Sequence, residues 1–363
     1  MDSKKDQLLA LIAHNPFISQ QDLAERLGLS RSAVAGYVAA LTKERRILGR
    51  AYVLPGARKL VCIGGSNVDR KLRGLEALQM GNSNPARLSE SPGGVARNVA
   101  ENLARLGLQV QLLTALGDDA AGRYLLGHAA SVGVDSSASL IAADAPTGSY
   151  TAVLSPEGEL VLGLAQMDLC ERLTPDYLRQ CTAQRAQAGL TLVDLNLPAE
   201  SLAFLLAEAA EEKSAPLVAV AVSAPKMARL PQSLQGLSLL ILNRDELAAA
   251  TGLELGLDDP SQLQRAHEAL AARGLQRLIV TQGAGRLFFG SAGQALKSIK
   301  PPATSVVEVS GAGDAFAAGV CAALLQEPED LAAACKLGLR LARLTLRSEH
   351  SVSPELSPEL LLP

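Results

Sequence analysis

Tryptophan is absent and aromatic residues make up 3% of the 363-residue chain. Base stacking on aromatic platforms, as single-strand binders use, is therefore not expected. Cysteine is sparse. The five (Cys62, Cys170, Cys181, Cys321, Cys335) are scattered with no C-x-x-C pair, which argues against a zinc site or disulfide framework and fits a reduced, cytoplasmic setting. Long hydrophobic runs are missing as well. A run such as LVAVAV (217–222) is far too short to span a bilayer. The opening MDSKKDQ is polar and holds no apolar stretch of a signal peptide. What is present is globular: 48% hydrophobic and 20% charged residues, in a length comfortable for two domains.

The charge is unevenly placed. Residues 1–58 carry nine Lys or Arg against five Asp or Glu, a net +4 in a chain whose total is −3. That contrast suggests two modules with different partners. Within the basic module, DQLLALIAHN has helical spacing. Ser19 precedes QQDLAERLG with Asp22 three residues on, like a capping box, and Gly28 ends that helix. Ser30 can cap a third helix, RSAVAGYVAALTKER, and RILGRAYVL (46–54) alternates like a small wing. Helix, turn, helix and basic wing resemble a winged helix-turn-helix. The resemblance implies that Arg31, Ser32, Gly36 and Tyr37 face DNA while Arg46 and Arg50 meet phosphates, and it predicts a homodimer. The alternative is a small helical domain for protein contact.

After the linker LPGARK (54–59) the pattern changes. KLVCIGGSNVD, QVQLLTALG, GLTLVDLNL, APLVAVAVS, LSLLILN and QRLIVTQG read as strands, with helical stretches such as VARNVAENLARLG between them. This alternation predicts an α/β fold with a mostly parallel sheet and ligands at the carboxyl ends of its strands. The boundary is placed at 58/59. TGSYTAVLSPEGELVLGLA breaks the alternation with two β-like runs around Ser155-Pro156-Glu157-Gly158, a hairpin suited to a flap. Flap elements are expected near 69–90 and 147–165.

Two glycine turns carry the chemistry. In SGAGDAF, Gly311-Ala312-Gly313 opens a helix with Asp314 in its first turn. Backbone N–H groups and the positive helix end suit a phosphate or developing anion, and the same field favours an ionised Asp314 that can accept a proton. Alone, the acid could simply complement the dipole. In SPGGVARN, Gly93-Gly94 precedes a second helix with Asn98 one turn in.

Together these motifs resemble the ribokinase-like (PfkB) family of sugar and nucleoside kinases from about Leu60 onward. GGSNVD, NSNP (82–85), SPGGVARNVAENLARLG and SVSPELS look most like the pseudouridine kinases and their winged-helix-bearing relatives. The resemblance implies a three-layer α/β/α domain with a small β flap, ATP and Mg²⁺ as cofactors, and a sugar or nucleoside acceptor, pseudouridine first. It implies Asp314 as the base, with the N–H groups of Gly311, Ala312 and Gly313 holding the phosphoryl. Asn67, Asp69, Gly93, Gly94 and Asn98 would bind the acceptor, and Asn243, Thr281, Gly283, Gly285 and Glu308 would line the nucleotide. Asn243 and Glu246 in NRDE would organise Mg²⁺ through water, although the same residues also read as a helix cap with its partner at N3. Four departures stand out: Arg286 for a glycine, Val220-Ala221 for Asp-Pro, Ala165-Gln166 for Asn-Asp, and Glu308 for Asp. The last leaves the family's monovalent-cation site open. A competing reading follows from them, that of a transcriptional regulator using a kinase fold as a nucleoside sensor.

Overall fold

The computed structural model describes residues 3–14, 18–47, 59–186, 188–211, 215–256 and 259–361. The N-terminal module is α1 (Lys4–His14), α2 (Gln20–Leu27) and α3 (Arg31–Lys43). Leu8, Ile12, Leu23, Val34 and Leu41 are fully buried and form its core. Ser30 caps α3 by accepting from the Ala33 N–H at 3.2 Å. Ser19 accepts from the Asp22 N–H at 3.1 Å, but its own hydroxyl donates to the Asp22 carboxylate at 2.8 Å. Asp22 therefore bonds the cap hydroxyl and not the Ser19 N–H, so the box is half formed. The expected wing lies outside the described residues except for Arg46 and Ile47.

The remainder begins with β1 (Lys59–Ile63), β2 (Asn67–Gly74), β3 (Ala86–Gly93) and α4 (Val95–Arg105). It continues through β4 (Val110–Leu113), β5 (Ala115–Gly117), α5 (Ala120–Ser131), β6 (Val134–Asp135) and β7 (Leu140–Ala142). Then come β8 (Ser149–Leu154), β9 (Leu160–Gln166), α6 (Pro175–Gln180), α7 (Thr182–Arg185), β10 (Ala188–Asp194) and α8 (Ala199–Ala209). The chain closes with β11 (Leu217–Val220), β12 (Leu237–Asn243), α9 (Arg244–Thr251), α10 (Pro260–Ala272), β13 (Arg277–Thr281), β14 (Leu287–Ser291), β15 (Lys297–Ile299), α11 (Ala312–Gln326) and α12 (Leu331–Leu346).

Among the described residues the main sheet has nine strands in the order β15-β14-β13-β12-β11-β10-β1-β4-β6. It is parallel from β13 to β6, and β14 and β15 add an antiparallel edge. Alternate residues feed two cores, as a sheet covered on both faces requires. Leu60 and Cys62 pack with α4, α11 and α12, while Val61 and Ile63 pack with α8, α9 and α10. The result is three layers, α/β/α. No helix among the described residues is long and apolar enough to cross a membrane.

A second sheet, β3-β2-β8-β9, stands apart from the main one. The β8–β9 hairpin falls where the SPEG turn predicts it. The segment near 69–90 is more ordered than a flap loop: β2 and β3 pair from Asn67↔Gly93 to Gly74↔Ala86. Their charged, half-exposed sequence (NVDRKLRG, ARLSESPG) lacks the apolar alternation by which strands are read.

Candidate active site

β1, β10, β12 and β13 end at Ile63, Asp194, Asn243 and Thr281. The parallel strands therefore end together at one edge of the sheet, where β12 and β13 place Asn243 and Thr281. Two helix mouths meet there. Gly94 precedes α4 with φ 101°, and a Cβ on it would lie 2.4 Å from the Gly65 carbonyl oxygen. Gly311 precedes α11 with φ 79°, and its Cβ would lie 1.9 Å from the Ser351 carbonyl oxygen. Only glycine fits either turn. The Ser351 contact also gives the closing SVSPELS segment a place in the site.

The mouths are joined directly. Asn98 Nδ2 donates to Asp314 Oδ2 at 2.7 Å across 216 residues of sequence. Asn98 is 5% exposed, and its Oδ1 is buried without a partner among the described residues. On the neighbouring strand Asn67 Nδ2 donates to Asp69 Oδ1 at 2.7 Å, and Gly93 lies beneath the Asp69 carboxylate. Asn67, Asp69, Gly93, Gly94, Asn98 and Asp314 are thus brought together in one cluster.

Three further features bear on the sequence reading. First, the helix mouth does not keep Asp314 strongly acidic. Burial raises its carboxyl to about 7, against the Asn98 hydrogen bond, with the nearby Asp194 charge adding to the rise. The residue as a whole is only partly buried, but its carboxyl group is the enclosed part. Loss of solvent outweighs the helix field. Second, the Ala312 N–H is turned back to the Val309 carbonyl at 3.3 Å. The N–H groups of Gly311, Gly313 and Asp314 have no backbone partner among the described residues. Third, Asn243 and Glu246 form a complete capping box: Asn243 Oδ1 accepts from the Glu246 N–H (2.9 Å) and Glu246 Oε2 from the Asn243 N–H (2.7 Å). One carboxylate oxygen of Glu246 is therefore already engaged, and burial raises its pKa.

The sequence reading missed Asp194. It is fully buried, and its Oδ2 accepts from the Gly65 N–H (2.8 Å) and the Ala96 N–H (2.9 Å), its Oδ1 from the Asn196 N–H (2.9 Å). It ties the turn after β1 to the start of α4. An acid ending the buried run LTLVD is the signal that could have found it. Arg97 was missed too. It is 5% exposed, bonded through Nη2 to Glu101 (2.6 Å), with Nε and Nη1 buried and unpartnered among the described residues. Burial lowers its pKa, and the charges of Glu101, Asp69 and Asp314 oppose this.

A separate cavity of about 770 Å³ is lined by Asn243, Arg244, Asp259, Thr281, Gly283, Gly285, Arg286 and Phe288 among others. Its size suits a nucleotide. It gathers four of the expected nucleotide residues; Glu246 and Glu308 are not in its lining. Arg286, the departure from glycine, is exposed and donates through Nε to Ser298 Oγ at 3.0 Å. Arg244 and Arg286 supply positive charge suited to phosphates. No group of three or more His, Cys, Asp or Glu able to hold a metal occurs among the described residues.

In the N-terminal module Arg31, Ser32 and Gly36 are exposed on α3, whereas Tyr37 is half-buried against the helical core. Arg46 is drawn to Asp6, with Nη2 to Oδ1 at 2.9 Å. Arg50 lies outside the described residues.

Comparison with known proteins finds two family patterns along the chain. The pattern of the pfkB family carbohydrate kinases matches residues 57–357, and that of winged helix-turn-helix DNA-binding domains matches residues 1–47. The chain is 31% identical to the "Uncharacterized sugar kinase YeiI" of Escherichia coli (strain K12), over 90% of this chain and 89% of that one. It is 30% identical to the pseudouridine kinase of the same organism, over 82% and 93%. A solved carbohydrate kinase from Agrobacterium tumefaciens superposes with a TM-score of 0.71 at 30% identity, covering 84% of this chain and 95% of that one.

Proposed function

Because the chain belongs to the pfkB family of carbohydrate kinases, we propose that it moves the terminal phosphoryl group of ATP to a hydroxyl of a nucleoside, with the 5′-hydroxyl of pseudouridine as the leading acceptor. The observation that carries this reading is the Asn98–Asp314 hydrogen bond. It sets a proton acceptor at the mouth of α11, beside N–H groups free to receive an anion. The acceptor's hydroxyls bind to Asn67, Asp69 and the unpartnered Asn98 Oδ1. Asp314 takes the proton from the attacking hydroxyl, and Asn98 holds the carboxylate in line. Gly313, with its N–H directed from the turn, receives the phosphoryl oxygens together with Gly311. The nucleotide occupies the Thr281–Arg286 cavity. Glu246 and Asn243 would hold, through water, a Mg²⁺ brought in with the nucleotide phosphates, and that ion would supply charge neutralisation for the transferring group.

Pseudouridine is favoured by the 30% identity to a pseudouridine kinase. The test is ATP consumption with Mg²⁺ across pseudouridine, other nucleosides, ribose and hexoses. Turnover with pseudouridine, lost in Asp314→Asn, supports the reading. Turnover with ribose or a hexose alone moves the acceptor, and silence across the panel removes the catalytic reading.

A second reading is favoured by the winged helix-turn-helix at residues 1–47. In it the nucleoside site also governs DNA binding by a homodimer, through Arg31 and Ser32 on α3, so that one ligand serves turnover and coupling. Kinase and DNA-binding units then separate at 58/59. A chain starting at residue 59 should keep kinase activity within about twofold, since the residues of the acceptor and nucleotide sites all lie beyond that point. DNA affinity of the intact chain should fall steeply with salt.

A further inference from the structure

One charge pair joins the small sheet to the phosphoryl-binding turn, and the proposed reaction does not use it. Lys71, in the middle of β2, donates through Nζ to Glu308 Oε2. The other carboxylate oxygen, Oε1, accepts from the Val309 N–H (2.9 Å), the Ser310 N–H (3.1 Å) and the Ser310 hydroxyl (3.0 Å). Ser310 directly precedes Gly311. One carboxylate thus grips the turn with one oxygen and the small sheet with the other. The two side chains are only 30% and 27% exposed.

Burial works to raise the Glu308 pKa, but the Lys71 hydrogen bond, the Ser310 N–H and the Lys71 charge outweigh it and hold the group at about 2. It is an anion at any working pH. An anion three residues from Gly311 repels an incoming phosphoryl group unless its charge is cancelled. The cancelling charge sits on β2. Asp69 is two residues earlier on the same strand, and the alternation of a strand puts both side chains on one face. The adjacent pair Arg70–Glu90, on the opposite face, closes within the small sheet itself at 2.8 Å.

We propose that Lys71 is a positioning residue, a latch through which β2, when seated over the acceptor, cancels the charge of Glu308 and fixes the Ser310–Gly313 turn. The phosphoryl-binding turn is then complete only when the strand carrying Asp69 is in place. Its consequence for turnover rests on the kinase reading above; the latch itself does not.

Hydrogen–deuterium exchange of the full chain without nucleotide tests the latch directly. In Lys71→Met the amides of 309–313 should exchange about fivefold faster than in wild type. Lys71→Arg should restore protection, and the control Arg70→Met should leave 309–313 unchanged. Equal exchange in wild type and Lys71→Met overturns the proposal, as does an equal rise in Arg70→Met. With an accepted substrate, Lys71→Met should lower kcat about tenfold while KM for ATP stays within about threefold. Adding Glu308→Gln should cost little more, because the pair acts as a unit. Unchanged kcat overturns the latch as a determinant of turnover. An inactive wild type would count against the kinase reading, with the exchange result still deciding the latch.

Discussion

The proposed acceptor side and the proposed nucleotide side are built differently. Asn67, Asn98 and Asp194 are each at most 5% exposed; Asp194 accepts from the Gly65 and Ala96 N–H groups, Asn98 donates to Asp314, and Asn67 donates to Asp69. Gly283, Gly285 and Arg286 are exposed around a cavity of about 770 Å³. The acceptor side is organised before any ligand arrives. The rim of the proposed nucleotide side is open to solvent. Discrimination among acceptors is then set by the protein, whereas nucleotide affinity tolerates change at the rim.

The contrast can be broken most sharply at Asp194. Asp194→Ala strips three buried N–H groups of their acceptor, at a cost of about 3 kcal/mol or more. It should lower the melting temperature strongly and abolish activity; a melting temperature within a few degrees of wild type would show that the turn after β1 stands without it. Asp314→Asn should reduce kcat about 10³-fold, the range of a general base, with acceptor binding by calorimetry near normal. It should also raise the melting temperature at pH 8. The folded pKa of Asp314 is raised from the ordinary 3.8 to about 7, so the fold loses stability progressively as pH rises between those two values, and the loss is complete and constant above them. At pH 5, where the native group is protonated, the gain should shrink.

Asn98→Ala tests the same side more gently. The Asn98 hydrogen bond lowers the Asp314 pKa, so its loss should move the rising limb of the kcat–pH profile from near 7 to higher pH. A limb displaced to lower pH would contradict the geometry. On the nucleotide side, Arg286→Ala should raise KM for ATP only about threefold, since an exposed charge contributes little, and should leave the acceptor KM unchanged. An effect on the acceptor exceeding that on ATP would erase the distinction between the two sides.

The sequence made the local and periodic features legible. Ser30, Gly28 and the SPEG turn act where their chemistry places them. The apolar runs form the parallel strands, and the two glycine motifs open α4 and α11. What it withheld depends on distance. Glu308 and Lys71 are 237 residues apart, and no spacing rule pairs them. Asp194 ends an apolar run and looks like the last residue of a strand until Gly65 and Ala96 are brought to it. The ionisation of Asp314 was misjudged for the same reason. The helix field is written locally, but the burial that overrides it comes from the fold. The strands β2 and β3 were hidden because they belong to a thin sheet with little apolar burial.

The most direct test of the central claim is the mass of the acceptor after incubation with ATP, Mg²⁺ and the intact chain, beside Asp314→Asn. The account predicts phosphorylated pseudouridine from the wild type and almost none from the variant. ATP hydrolysis without a phosphorylated acceptor, or equal product from Asp314→Asn, would contradict it.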